Sequence, residues 1–160
     1  MKPILVVGLG NSAFGDDGIG CALVPRLARD RSLRKHADFV VGGGDLLRVA
    51  DRFEGRERVV IVDAALGDET PGTVSVHEEP FDGLTGRWEH AHHPSAVEAV
   101  ALLKAASPAL RSTRFTFVLV TVRELRHEAT LSTREIAGRV RDVLGALSRS
   151  AEAARRSSSR

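Results

Sequence analysis

Cysteine is nearly absent from this 160-residue chain: Cys21 stands alone, which excludes an internal disulfide and any Cys-based zinc site. That thiol falls on the apolar side of an expected helix, where it reads as a small buried hydrophobe rather than a nucleophile. Aromatic residues make up only 4% of the chain, leaving little on which bases could stack. The formal charge of +2 does not restore a nucleic-acid reading, because the last ten residues, AEAARRSSSR, account for all of it with three arginines and one glutamate. No segment approaches the roughly 20 consecutive apolar residues that cross a bilayer. Nothing near Met1 resembles a signal peptide either, since Lys2 is followed by a short apolar run broken by glycines and acids. The expectation is a cytoplasmic, soluble protein that binds neither nucleic acid nor membrane.

What is present is an alternation of apolar runs and amphipathic stretches. Pro3–Gly8 (PILVVG) is continuously apolar, as in a strand buried on both faces. A helix is expected from Gly18 to Arg29, then a short strand at Ala37–Val41, a flexible Gly42–Gly44 turn, and a short helix capped by Asp45. Val59–Asp63 (VVIVD) is a third strand ending in an acid, and Thr73–His77 alternates like a half-buried edge strand after the Pro71–Gly72 turn. Ser95–Ala106 is helical, Phe115–Val120 is a fifth strand, and Ser132 with Glu135 makes a capping box for a last helix through Leu147. This order predicts an α/β fold: a three-layer α/β/α sandwich with a mostly parallel five-stranded sheet, in one domain over residues 1–148. Residues 149–160 are expected to form a disordered Ser/Arg tail.

In such sheets ligands sit beyond the carboxyl ends of the strands. Asp16 and Asp17 follow the first strand and Asp63 ends the third, so right-handed winding makes those strands neighbours and gathers the acids in one crevice. Carboxylates that share a crevice repel unless a proton or cation lies between them. The His-rich loop Glu89–Pro94 (EHAHHP) offers imidazoles at His90, His92 and His93, and carboxylates plus imidazole suit a divalent transition metal. Each residue also has an ordinary explanation. One of Asp16 and Asp17 can cap the helix, Asp63 can bind loop amides, and the histidines, like His36, His77 and His127, can face solvent.

The stretch Gly8-Leu9-Gly10 fits the first half of a dinucleotide-binding fingerprint, with Ala13 in place of the third glycine. Asp16 and Asp17 argue against it, because they would face a pyrophosphate where a helix normally offers bare amides. With no G-K-[ST], a P-loop is excluded as well. The turn brings a cation, not an anion, to the helix mouth.

Gly8-Leu9-Gly10-Asn11 followed by Gly15-Asp16-Asp17-Gly18-Ile19-Gly20 resembles the signature of the nickel–iron hydrogenase maturation endopeptidases. The likeness continues through Val59–Ala65, the Pro71–Thr73 turn, a loop histidine before a helix, and Leu131–Glu135 with its terminal helix. It implies an endopeptidase, of aspartyl type, that removes the C-terminal extension of a hydrogenase large-subunit precursor after nickel insertion. It also implies an acid–acid–histidine metal site, which by motif is Asp17, Asp63 and His92. The family has small or apolar residues at set positions after its histidine; Pro94, Ala96, Ala99, Val100 and Leu103 match them when counted from His92. His93 is the second choice and His90 the third. Nickel is expected to arrive with the substrate, and no other cofactor is implied. The resemblance leaves open whether the metal acts chemically or only marks the substrate, in which case Asp17 or Asp63 serves as general base. Gly8, Gly10 and Gly18 are expected to let the backbone turn closely beside the site.

The chain departs from that pattern at Val41–Leu47 (VGGGDLL) and at Val120–Arg123 (VTVR), loops expected to surround the site. These departures leave an alternative, a non-catalytic metal- or cleft-binding module that keeps the fold without peptidase activity. A nucleotide-dependent enzyme ranks below both.

Overall fold

The computed structural model describes residues 1–81, 95–124 and 128–158. Five strands form one sheet: β1 (Ile4–Leu9), β2 (Ala37–Gly43), β3 (Arg58–Leu66), β4 (Val74–Glu78) and β5 (Arg114–Val122), in the order β2-β1-β3-β5-β4. All pairings are parallel except β4 with β5, so the Thr73–His77 segment is the antiparallel edge that its alternation suggested. Helix α1 (Ile19–Leu27) and helix α3 (Thr133–Ser158) cover one face, and α2 (Ala96–Ala106) with the 3-10 segment Leu46–Arg52 covers the other.

The unbroken apolar runs are explained by this double covering. In β3, Val60 and Val62 face α1 and α3 beside Leu23, Val140 and Leu144. Val59 and Ile61 face the opposite cluster with Phe53, Phe117 and Val100. Phe53 and Phe115 meet edge to face with ring centroids 5.8 Å apart, giving that second cluster a stiff aromatic contact. Local signals set the ends of the helices. Ser95 accepts from the Glu98 amide while Glu98 accepts from the Ser95 amide, a complete capping box for α2. Asp45 accepts from the Leu47 amide and starts the short 3-10 segment. The expected flexible glycine turn is shorter than anticipated, because Gly42 and Gly43 belong to β2: Gly42 bulges out of the register, Gly43 pairs with Leu9, and the chain turns after them.

The expected disordered tail is corrected by the structure. Helix α3 runs without interruption to Ser158, so residues 149–158 are its last turns. Ala151 continues the stripe of Val140, Leu144 and Leu147 against the core. Glu152 meets the His36 ring at 2.8 Å, and Arg155 donates to the Glu57 carboxylate at 2.8 Å. His36, read as solvent-facing, is thereby half covered. Removing residues 151–160 is predicted to lower the melting temperature by about 2–4 °C, the shift that a loss of about 1 kcal/mol produces in a chain of this size. Calorimetry of the truncated and full chains checks this; identical melting temperatures would show that the last turns carry no stability.

Candidate functional site

Backbone contact between α1 and the sheet determines the shape of the site. Gly8 of β1 pairs with Val62 of β3, so β1 ends at Leu9 beside Asp63. Asp63 does not end its strand as the sequence suggested: β3 continues to Leu66 because β5 goes on pairing with it past the end of β1, with Asp63 opposite Leu119. Gly20, in the first turn of α1, lies against both strands: a Cβ there would sit 2.1 Å from the Val62 carbonyl oxygen and 2.4 Å from that of Leu9. A Cβ on Gly8 would in turn sit 2.3 Å from the Gly20 oxygen. Carbonyls held by the sheet cannot step aside, so only glycine fits. Between strand and helix the chain turns at Gly10, which has φ +122° and passes directly over the Asp17 carbonyl. The 3-10 turn Gly15–Gly18 then delivers Asp16 and Asp17 to the helix mouth.

The two aspartates go separate ways, and neither acts as the side-chain cap that one of them was expected to provide. Asp17 accepts the Asn11 amide at 2.9 Å, which orients its carboxylate on the strand side of the turn. Asp16 is buried and accepts the amides of Thr130 and Leu131 at 2.9 and 3.0 Å, with the Thr130 hydroxyl on its other oxygen. This tie to the segment before α3 is the feature that sequence reasoning missed. The motif assigned Asp17 to the site, but nothing in the sequence named a partner for Asp16.

Asp63 has the side-chain parity of Ile61 and therefore belongs to the face that α2 covers. It is partly buried and bonds the neighbouring Ala64 amide at 2.8 Å. Burial pushes its carboxyl up to about 7; the Ala64 amide opposes this shift, while the negative charge of Asp17 adds to it. Burial is the main cause, and the charge of Asp17 reaches Asp63 as a smaller one. Cys21 lies beside them, its thiol donating to the Gly10 carbonyl at 3.2 Å. Burial above all, and then the charges of Asp63 and Asp17, raise the thiol's pKa, so it stays protonated and inert.

His90, His92 and His93 lie outside the described residues, as does His127. Among the described residues no group of three His, Cys, Asp or Glu side chains converges as a metal site. Of the expected set, the described residues include Asp17 and Asp63, whose charges both act on Cys21. The segment bearing the imidazoles leads directly into α2, on the face to which Asp63 belongs.

This is a largely parallel α/β sandwich with Asp17 following β1 and Asp63 in the neighbouring β3, just beyond the end of β1. The family model for hydrogenase maturation proteases matches residues 21–148, and the chain belongs to that family. Protein FrxA of Pyrococcus furiosus is 33% identical over 113 residues, which are 69% of this chain and 78% of FrxA. The hydrogenase expression/formation protein HupD of Rhodobacter capsulatus is 28% identical over 61% of this chain, and the match spans 47% of its own length. The solved structure of the [NiFe] hydrogenase maturation protease HybD from Thermococcus kodakarensis superposes with a TM-score of 0.74 at 27% identity, covering 92% of this chain and 99% of that one. Among the described residues, no helix is long and apolar enough to cross a membrane.

The raised Asp63 carboxyl generates a prediction about stability. Its ordinary value is 3.8 and its folded value about 7, so the folded state holds the proton more tightly than the unfolded chain. Stability is therefore full below the unfolded value and declines as pH rises toward 7. Asp63→Asn keeps an acceptor for the Ala64 amide and removes the charge. At pH 8 the variant is predicted to be more stable than wild type by on the order of 2 kcal/mol, allowing for the solvent that still reaches the group, and the gain vanishes by about pH 4. Melting curves from pH 4 to 8 measure it. A variant less stable at pH 8, or one whose gain does not change with pH, would contradict the assignment.

Proposed function

We propose that this protease removes the C-terminal extension of a nickel–iron hydrogenase large-subunit precursor once nickel is in place. The carrying observation is that Asp17 follows β1 while Asp63 lies in the neighbouring β3, one residue beyond the last Gly8–Val62 pair, with its carboxyl raised to about 7 by burial and further by the charge of Asp17. Such a pair holds one negative charge more than the crevice tolerates, and a divalent cation relieves that repulsion better than a proton does. Nickel is carried in by the substrate, and Asp17 and Asp63 engage it together with His92, or with His93 in its place. The imidazole supplies a nitrogen donor matched to nickel beside two carboxylate oxygens.

On this reading the substrate is recognised by its metal, and cleavage waits for metal insertion because an empty precursor offers the acids nothing to bind. The nickel positions the adjacent peptide bond at the crevice. Hydrolysis then requires a water to attack the carbonyl carbon, a proton to leave that water, and a proton to reach the departing amine. Two routes fit the residues present. In one, nickel polarises the carbonyl or activates the water. In the other it is a recognition element, and Asp17 or Asp63 accepts the proton of the attacking water as an aspartyl-type general base. A carboxyl raised to about 7 suits the second role at neutral pH. No Ser–His–Asp or Cys–His arrangement competes for it among the described residues, and the Cys21 thiol is held protonated. The reaction belongs in the cytoplasm, where such precursors are assembled.

The test is mass spectrometry of a large-subunit precursor incubated with this protein, with and without nickel loading. The nickel-loaded precursor is expected to lose its C-terminal extension and the nickel-free precursor to stay intact. Asp17→Asn and Asp63→Asn are expected to lose at least about 100-fold in processing, the lower range for removing a general base or metal-positioning group, while remaining folded. A wild-type protein that binds the loaded precursor without ever cutting it would instead support a non-catalytic cleft-binding module.

A further inference from the structure

Asp16 is only 6% exposed, yet it bears a carboxylate and sits next to Asp17 in the Gly15–Gly18 turn. A buried carboxylate is retained only where its oxygens are satisfied. Here they are satisfied by one distant segment: one oxygen takes the amides of Thr130 and Leu131, and the other takes the Thr130 hydroxyl. These donors are 114 and 115 residues away in sequence, on the stretch that opens α3. The neighbouring Asp17 makes a different bond, to the Asn11 amide at 2.9 Å. The turn is therefore anchored from behind by Asp16 while its next residue faces the crevice.

We propose that Asp16 is a positioning residue of this site: by tying the Gly15–Gly18 turn to the Thr130–Leu131 backbone, it fixes the direction in which Asp17 presents its carboxylate. The inference rests on the functional reading of Asp17 given above. It assigns to Asp16 a geometric role, not an electrostatic one. An asparagine at the same place can accept both amides with its oxygen and donate to the Thr130 hydroxyl with its nitrogen, keeping the tie without the charge.

The Asn11 amide reports the position of the Asp17 carboxylate whatever the crevice binds, so its hydrogen exchange, followed by NMR, is the direct test. In Asp16→Ala that exchange is expected to accelerate about tenfold, the weight of one net hydrogen bond. Asp16→Asn should stay within about threefold of wild type, and so should Leu33→Ala, a core truncation at the opposite pole chosen to lower stability without touching the turn. Processing of nickel-loaded precursor is expected to follow the same order. Thr130→Val removes only the hydroxyl arm; it should speed Asn11 exchange about threefold, with Thr130→Ser restoring it, and this pair carries the test if Asp16→Ala does not fold. The proposal is overturned if Asp16→Ala protects Asn11 no worse than Leu33→Ala does, or if Thr130→Val leaves it unchanged. It is overturned equally if Asp16→Asn disturbs processing as much as Asp16→Ala, because the charge would then matter in itself. Intact Asn11 behaviour with no processing by wild type would count against the functional reading alone.

Discussion

Helix α1 reaches the sheet backbone to backbone, with Gly20 wedged against the carbonyls of Val62 and Leu9 and Gly8 beneath it. A methyl group on Gly20 would have to displace carbonyls of β1 and β3, and one on Gly8 the Gly20 carbonyl at the start of α1; that contact governs the rest of the site. It sets the helix mouth directly over the end of β1 and over Val62 of β3. It makes the intervening chain double back at Gly10, and it carries Asp17 into the electrostatic neighbourhood of Asp63.

Once the acids are coupled, the chemistry is constrained by a shortage of positive charge. Helix mouths beyond parallel strands usually attract anions, because free amides and the helix dipole point outward. In this molecule carboxylates stand there instead, Asp17 bonded to the loop amide of Asn11 and Asp63 to the β3 amide of Ala64. The crevice keeps a net negative character, which burial and mutual repulsion express as a proton retained on Asp63 near neutral pH. A protein-bound phosphate has no place there. On the proposed reading a cation does, and a substrate that brings its own cation would be distinguished from one that does not.

Much of this was legible in the residues themselves. The apolar runs at Pro3–Gly8, Val59–Asp63 and Phe115–Val120 could be read as strands because burial on both faces removes polar alternation, and their order predicted that β1 and β3 are neighbours. The tail was misread for an equally physical reason. Its Ser and Arg content suggested solvent, but Ala151 extends the spacing of Leu144 and Leu147, and Glu57 and His36 supply partners from distant parts of the chain. The partner of Asp16 was hidden in the same way. Identical residues side by side differ only through what lies opposite them, and Thr130 becomes a neighbour of Asp16 only when the chain is folded.

The claim on which the account turns is that Asp17 and Asp63 together hold a divalent cation, and anomalous diffraction at the nickel edge from crystals grown with nickel(II) addresses it most directly. The account predicts an anomalous peak within coordination distance of both carboxylates, with an imidazole from the Glu89–Pro94 loop completing the set, and no peak there in Asp63→Asn crystals. A nickel peak elsewhere on the protein, with the carboxylates of Asp17 and Asp63 left uncoordinated at saturating metal, would contradict it.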